Sequence, residues 1–562
     1  MKGALMFVRV KPVGKYRYLQ IVESIRVDGK NRQKVLGTLG AMDEVKGRGK
    51  LAGLMQSLSK YTPECLALIV GKSQVQTQAY KMGPVKIFER LWQESGLKDI
   101  VSDLLKPREY EFDVERAIFL SVLHRICCGG SDRQADRWRE GYKIEGVEDL
   151  KLHHLYRAMA WLGEELEEVC EDSLKRRCTK DLIEEKLFQQ RRDLFSGLSL
   201  VFFDTTSLYF EGEGGESLGK RGFSKDHRSD LKQMVVGVTL DEQGEPLSSH
   251  IWPGNTTDVK TLIPTADRLE KQFGVKRICL VADRGMISEQ TMSELEQRQW
   301  QYILGVRMRN AREVRQEVIP ELSRVEAQRG LREGFVEVVG ERTQSKDPSP
   351  LQVKEVVVGT HRYVLCYNPE QARKDAFDRA TLVETLRQKL IHSDKEFIAN
   401  KGYRQYLKTQ GKHFLLDETK IQEDEFYDGL WVLRTNTALT PAQVALQYKQ
   451  LWRVERIFRD SKTLLKTRPI FHKYDATIRG HVFCSFLALV LMKALDRSLE
   501  KANLNVEWQD LLRDLKALQI MRIQENQKVF WLRSQLQGCS ASVFRAVGVA
   551  IPPLLIKDSN RN

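Results

Sequence analysis

Apolar positions in the first forty residues fall in short runs broken by turn signals. LMFVRV, YRYLQIVESIRV and RQKVLGTLG are separated at Pro12–Gly14 and Asp28–Gly29, which predicts a small β-meander over 1–45. Over 46–195 the apolar spacing changes to three and four. KIFERLWQESGLKDIVSDLL, VERAIFLSVLHRICC and LYRAMAWLGEELEEVCEDSLKRR all follow it, so this region is expected to be helical.

The period returns to β near 197. LSLVFFDTTSLYF and LKQMVVGVTLDEQGEPLSSHIWPG predict strands, the latter turning at Asp241–Gly244. TTDVKTLIPTADRLEKQF then reads as a helix capped by Thr257 or Asp258. RICLVAD follows as a buried strand, ISEQTMSELEQRQ as a helix capped by Ser288, and YILGVRM as a further strand. Hairpin strands leading into βαβαβ give the order of a ribonuclease-H-like α/β fold. That core is expected over 196–310 and again over 431–500. Between them, 311–430 breaks the alternation. GFVEVVGE, VKEVVVGTHRYVLCYN and GLWVLRTN are strand-like around a charged helical piece at 368–400. A stretch of this length is expected to be an insertion between the core's last strands that forms its own β-rich subdomain, because structureless loops of that size are rare. A single basic helix over about 440–466, an apolar helix at 479–500 and a helical region at 501–562 complete the expectation.

Composition narrows the class. Of 562 residues, 41% are hydrophobic and 30% charged, enough for several cores in a soluble protein. Lys and Arg number 90 against 76 Asp and Glu, a formal charge of +14. Such an excess favours a polyanionic partner through counterion release. The mixed-charge stretch SDRQADRWREG (131–141) reads as an exposed loop, either solvated or touching that partner. Nine cysteines with no CxxC pair and no zinc-ligand spacing point to a reducing compartment without a disulfide framework. The N-terminus becomes charged too early for a secretory signal. The longest apolar run, VFCSFLALVLM (482–492), is about half of what a bilayer-spanning helix needs. A cytoplasmic protein with no membrane association is expected.

Three acidic residues have the setting of metal-binding carboxylates. Asp204 follows the apolar run VFF, which places it at the exposed end of the first core strand. Asp283 ends CLVA, where ligand sites of open α/β sheets gather. Glu455 lies within YKQLWRVERIFRDSK, where seven-residue spacing would align Tyr448, Glu455 and Lys462 on one helix face. Hard oxygen ligands of this kind suit Mg²⁺. Each has an ordinary reading too: a strand-ending Asp bonded to its own turn, an Asp-Arg-Gly turn, and an exposed Glu455–Arg459 pair. RGFSKDHRSDLKQ (221–233) carries Lys225, Arg228 and Lys232. It fits either a phosphate backbone or a solvated approach to a strand.

FFDTTS, GFSKDHRSDLKQMVVGV, WPGNTTD, VADRGM and YKQLWRVERIFRDSK occur in an order that resembles the Asp-Asp-Glu transposases of bacterial insertion sequences, in the subgroup with a Tyr-Arg-Glu-Lys signature helix. The resemblance covers about 197–310 and 430–490. It implies that Asp204, Asp283 and Glu455 hold two Mg²⁺ ions, with Mn²⁺ able to substitute, and that Tyr448 and Lys462 contact the DNA strand. The subgroup's arginine position is Leu451 here, leaving Arg453 or Arg459 to supply that charge. The family further implies double-stranded transposon-end and target DNA as partners, a homodimer on DNA, end-sequence binding by 46–195, and a cytoplasmic, nucleoid-associated location in a bacterium. The reaction implied is cut-and-paste cleavage and strand transfer. Its rivals are an endonuclease of the same fold that does not join ends, a transposase-derived non-catalytic DNA-binding protein, and a carboxylate-pair glycosidase. The last gains nothing from the basic charge.

The charge excess sets a test. The logarithm of duplex-DNA affinity should fall linearly with the logarithm of salt concentration, by about 0.9 for each phosphate neutralised. A flat response in fluorescence anisotropy would mean that the basic residues do not form a DNA surface.

Overall fold

The computed structural model describes residues 6–27, 30–47, 76–167, 177–191, 200–275, 278–309, 311–319, 334–338, 351–392, 405–410, 413–525 and 528–557. The chain divides into two compact units. One is Met1–Ala79 with Met521–Arg533 and Pro553–Asn562; the other is Tyr80–Ile520 with Ser534–Pro552.

In the first unit, Met6–Val13, Tyr16–Val27 and Lys30–Ala41 form an antiparallel three-stranded sheet in sequence order. Lys528–Arg533 pairs antiparallel with Leu555–Lys557 in the same unit. The segment 501–562 is not wholly helical as expected; its helices are Trp508–Ala517 and Ser540–Ala546. The run QIMRIQENQKVFWLR instead supplies strands, because β-branched and aromatic residues flank a Glu-Asn turn signal.

The second unit is built on a nine-stranded sheet. Its strands are β1 (Leu200–Tyr209), β2 (Gln233–Asp241), β3 (Pro246–Pro253), β4 (Cys279–Ala282), β5 (Gln301–Val306), β6 (Val336–Glu337), β7 (Gln352–Val358), β8 (His361–Tyr367) and β9 (Leu430–Thr435). The order is β6-β7-β8-β9-β5-β4-β1-β2-β3. β1, β2 and β3 pair antiparallel, whereas β4 pairs parallel to both β1 and β5. The stretch 3-2-1-4-5 is the ribonuclease-H-like core expected from the sequence. The strands of 311–430 do not make a separate main sheet. β8 pairs with β9, and β9 with β5, so they extend the core sheet. Among the described residues of this stretch, Leu407–Gln410 and His413–Leu416 pair antiparallel apart from that sheet, beside the 24-residue helix α3 (Pro369–His392). Alternation along a strand cannot reveal which neighbour it will pair with, so the joining of these strands to the core sheet is not legible in the sequence. The last three residues of GFVEVVGE and residues 393–400 lie outside the described residues.

Both sheet faces are covered. Val201 and Phe203 of β1 pack with Leu262, Ala266 and Leu269 of α1 (Leu262–Lys271) and with Met292 and Leu295 of α2 (Glu289–Gln297). Ser288 caps α2 as expected, its hydroxyl accepting from the Thr291 amide at 3.0 Å. On the opposite face, Leu208 and Phe210 meet Met234, Val236, Ile470, Ile478 and Val482.

The helical region contains Gly83–Glu94, Leu97–Leu105, Val114–Cys127, Leu152–Leu162 and Thr179–Arg191. The helix expected to run on from Leu162 ends at Gly163, and 168–176 lie outside the described residues, as do 48–75. The stretch 131–141 is not a loop. Asp132–Trp138 is a helix opened by a Ser131–Gln134 capping box, and Asp132 is buried.

The single basic helix expected over 440–466 is two helices, α4 (Pro441–Lys449) and α5 (Trp452–Thr463). At the junction the amides of Gln450, Leu451, Arg453 and Val454 bond to carbonyls three residues back. That tighter winding adds about 120° per residue where an α-helix adds about 100°, so a seven-residue stripe cannot cross it. α6 (Asp475–Lys501) is long and apolar enough to cross a membrane, but 89% of its most apolar window is buried in the protein. It packs against Leu152–Leu162 and Val114–Cys127 as a core helix.

Candidate active site

β1 continues well past the aspartate. LVFFDTTSLY is one ten-residue strand, and Asp204 sits in its interior instead of at its exposed end. Thr and Ser are compatible with a strand, and here they extend it. Parallel pairing of β1 with β4 matches Phe203 to Ala282, so the next residues along the two strands are Asp204 and Asp283. Adjacent strands lie about 4.8 Å apart. The two carboxylates are therefore neighbours by sheet geometry.

Each is held on one side. Asp204 Oδ1 accepts the amide of Thr205 at 2.6 Å and lies 3.9 Å from Lys225 Nζ. Asp283 Oδ1 accepts the Tyr448 hydroxyl at 3.0 Å. The second oxygen of each has no hydrogen-bond donor among the described residues. The Asp204 side chain is 19% exposed. Burial pushes its pKa up to about 7, Lys225 and the Thr205 amide pull against that, and the charges of Asp283 and Asp258 add to the rise. Burial, reinforced by the Asp283 charge and by the hydrogen bond donated to Asp283, likewise raises the Tyr448 phenol pKa.

Gly305 makes the Tyr448 contact possible. A Cβ at this position of β5 would collide with the Tyr448 hydroxyl and lie 3.0 Å from Tyr448 Cζ and 3.2 Å from the Arg284 amide.

Glu455 lies on α5 and is exposed. Among the described residues its side chain makes no hydrogen bond or ion pair. α5 crosses the face of β1 that carries Asp204: Ile457, Phe458 and Ser461 line a cavity of about 20 Å³ with Thr206, Leu208, Val236 and Val238. Glu455 is three residues before Phe458 and thus on the adjoining part of the helix surface. Tyr448 is on the other side of the helix break and reaches Asp283 independently of Glu455.

One acidic residue reads from the sequence only as a helix cap. Asp258 caps no helix with its side chain. Its Oδ1 accepts the Thr205 hydroxyl at 2.6 Å, and its Oδ2 lies 3.3 Å from Lys225 Nζ. The signal in the sequence is its place in WPGNTTD, one of the ordered motifs, but no local pattern distinguishes this use from capping.

A model of the Transposase DDE domain matches residues 195–491, more than half of the chain, and a model of the IS1634 family transposase N-terminal domain matches 7–70. The chain belongs to the DDE transposase family. No curated protein matches it. Among solved structures, the Mos1 transposase paired-end complex with left transposon end is 14% identical, with a TM-score of 0.14. The match covers 35% of this chain and 60% of that one.

Members of this family use divalent metals, and the donor chemistry of the site fits them. Two half-buried carboxylates stand side by side, each with an oxygen free of protein donors among the described residues, and their mutual repulsion would be relieved by a cation. Among the described residues, the group of three acidic, His or Cys side chains whose ligand atoms do lie within 4.8 Å of one another is a different one, Asp132, His472 and His481. Its geometry is less suited to an ion. His481 Nδ1 lies 2.8 Å from Arg125 Nη2 and its Nε2 lies 3.0 Å from the Thr467 carbonyl, so both ring nitrogens are engaged. It is better described as a buried polar network around Arg125.

The basic residues singled out in the sequence lie in different settings. Lys462 is partly buried and pairs with Asp226 at 2.9 Å, with Arg468 on the other Asp226 oxygen at 3.0 Å. Burial lowers the Lys462 pKa, and Asp226 partly restores it. Arg453 donates to the Glu242 carbonyl at the β2–β3 turn. Arg228 pairs with Asp230 at 2.9 Å, and Lys232 pairs with Glu213. Arg459 is exposed on α5, and Leu451 is buried at the helix break.

Two outcomes follow. Gly305→Ala should cost about 1–3 kcal/mol in urea denaturation by displacing Tyr448. The cost should shrink in a Tyr448→Phe background, and an equal cost in both backgrounds would show that the hydroxyl is not the obstruction. The raised Asp204 pKa means that the folded protein binds a proton more tightly than the unfolded chain between about pH 4 and 7. Metal-free stability from this group therefore falls as pH rises through that window. Mg²⁺ binds the ionised form, so the melting-temperature increase it produces should be larger at pH 8 than at pH 5.5. Equal increases would contradict the linkage.

Proposed function

We propose that this transposase cleaves DNA at the ends of an insertion sequence and transfers the freed 3′ ends into target DNA. The observation that carries this reading is the side-by-side placement of Asp204 and Asp283 by the parallel β1–β4 register, with the Tyr448 hydroxyl on Asp283.

In this reading Asp204, Asp283 and Glu455 are the metal ligands. Two Mg²⁺ ions, or Mn²⁺ in their place, would supply the charge that activates an attacking oxygen and stabilises the leaving one in phosphodiester chemistry. The protein groups set the geometry. The Thr205 amide and the Tyr448 hydroxyl each fix one oxygen of their aspartate, turning the other toward the opening. Glu455, exposed on α5, approaches from the helix side. Lys462 and Arg468 hold Asp226, which anchors the loop that carries Lys225 beside the site. Arg459 is the better placed of the two arginines to meet a phosphate, because Arg453 is committed to the Glu242 carbonyl. Lys225, Arg228 and Lys232 would line the DNA path. Because two element ends must be joined to one target, the working form on DNA is a homodimer.

Asp204→Asn and Asp283→Asn should each abolish cleavage of a labelled transposon end and joining of a pre-cut end, with duplex binding nearly unchanged. Metal-dependent cleavage surviving in either variant would remove that residue from the catalytic set. Cleavage without joining by the native protein would instead identify an endonuclease.

A further inference from the structure

Lys225 stands between two carboxylates of the site and is bonded fully to neither. Its Nζ donates to the Thr205 carbonyl at 2.7 Å and to Thr205 Oγ1 at 2.9 Å. It then lies 3.3 Å from Asp258 Oδ2 but 3.9 Å from Asp204 Oδ1. Its main-chain amide is fixed by Ser207 Oγ at 2.8 Å, so the loop cannot simply slide along the strand.

Asp258 is tied into this arrangement from both sides. Its Oδ1 takes the Thr205 hydroxyl and its Oδ2 faces the ammonium. Oδ2 also lies 3.2 Å from where a Cβ on Gly285 would be, so the turn after Asp283 closes against it. With both oxygens committed, Asp258 differs from Asp204 and Asp283, which each keep one without a donor among the described residues. It is poorly placed to be a metal ligand, and well placed to control a cation.

We propose that Asp258 is a positioning residue that holds the Lys225 ammonium off Asp204, keeping the Asp204 carboxylate open to a divalent metal while the ammonium stays beside the site to meet a phosphate oxygen. This inference rests on the functional reading above. The physical argument is competition. An ammonium deprived of Asp258 has Asp204 as the nearest remaining carboxylate. Closing from 3.9 Å to hydrogen-bond distance would place a positive charge on the group that must bind the ion. Thr205 serves both roles: its amide orients Asp204 and its side chain links Asp258 to Lys225.

The test is Mn²⁺ binding to the full-length chain without DNA, followed by calorimetry and by the loss of the free-ion paramagnetic signal. Asp258→Asn should weaken Mn²⁺ binding about tenfold, the size expected when an ammonium moves onto a partly buried carboxylate. Lys225→Met alone should not weaken it. The double variant should recover native affinity or better, because the competing charge is gone. A merely structural role for Asp258 would give a double variant as weak as Asp258→Asn, and that result overturns the proposal. So does unchanged affinity in Asp258→Asn. If Asp258→Asn does not fold, Thr205→Val unties the same carboxylate without altering charge. It should weaken binding in the same direction and be rescued by Lys225→Met; no rescue would overturn the proposal. Asp204→Asn separates the two readings. Its loss of Mn²⁺ binding alongside an unaffected Asp258→Asn defeats only the positioning role, whereas unchanged binding in Asp204→Asn defeats the metal-site reading itself.

Discussion

The parallel pairing of β1 with β4 is the constraint on which the site depends. It matches Phe203 with Ala282, and the strand spacing then leaves Asp204 and Asp283 no freedom to separate. Two like charges are thereby kept close in a half-buried setting, which is unfavourable unless something neutralises them. A slip of one residue would turn Asp204 toward the core where Phe203 and Trp252 meet Leu262, Ala266 and Leu269 of α1. The register is fixed because both faces of β1 are buried.

The surrounding structure offsets that repulsion with groups drawn from distant parts of the chain. Thr205 supplies an amide, Lys225 an ammonium and Tyr448 a phenol, and Gly305 leaves the space that the phenol needs. Farther out, buried ionic networks hold the supporting elements. Glu184, with none of its surface exposed, accepts the Ser249 amide and hydroxyl of β3 at 2.9 and 2.6 Å and pairs with Arg268 of α1. Lys180 donates to the Ser249 carbonyl at 2.9 Å. The helix Thr179–Arg191, β3 and α1 are thereby locked together, and Asp258 lies in the short turn between the last two. The pairs are buried and multiply bonded, so losing one partner would strand a charge inside the protein.

The helix break at Gln450–Leu451 has a separate consequence. It places Tyr448 and Glu455 on separate helices, so the phenol's bond to Asp283 does not fix where Glu455 lies. α4 delivers the phenol to Asp283 beside β5, while α5 lies across the Asp204 face of β1. Leu451 is buried at the junction, and its amide bonds to the Tyr448 carbonyl at 3.1 Å.

Period and turn chemistry are enough to find the core strands, α1, the Ser288-capped α2 and the long apolar helix, because each depends on local burial and local capping. They also mark Asp204 and Asp283, since an acid after an apolar run is visible in one dimension. Pairing partners are not visible. β7, β8 and β9 join the core sheet instead of forming their own, because hydrogen-bonding edges carry no sequence label. Asp258 passes for a helix cap, as its partners Thr205 and Lys225 are 53 and 33 positions away in the chain and only folding brings them together. The junction at residue 450 is hidden for a related reason: nothing in YKQLWRVER disfavours a helix, and the tight turn exists because tertiary packing buries Leu451 and draws Tyr448 to Asp283. The sequence by itself determined which residues could do chemistry; the sheet register and the helix break decided which of them meet.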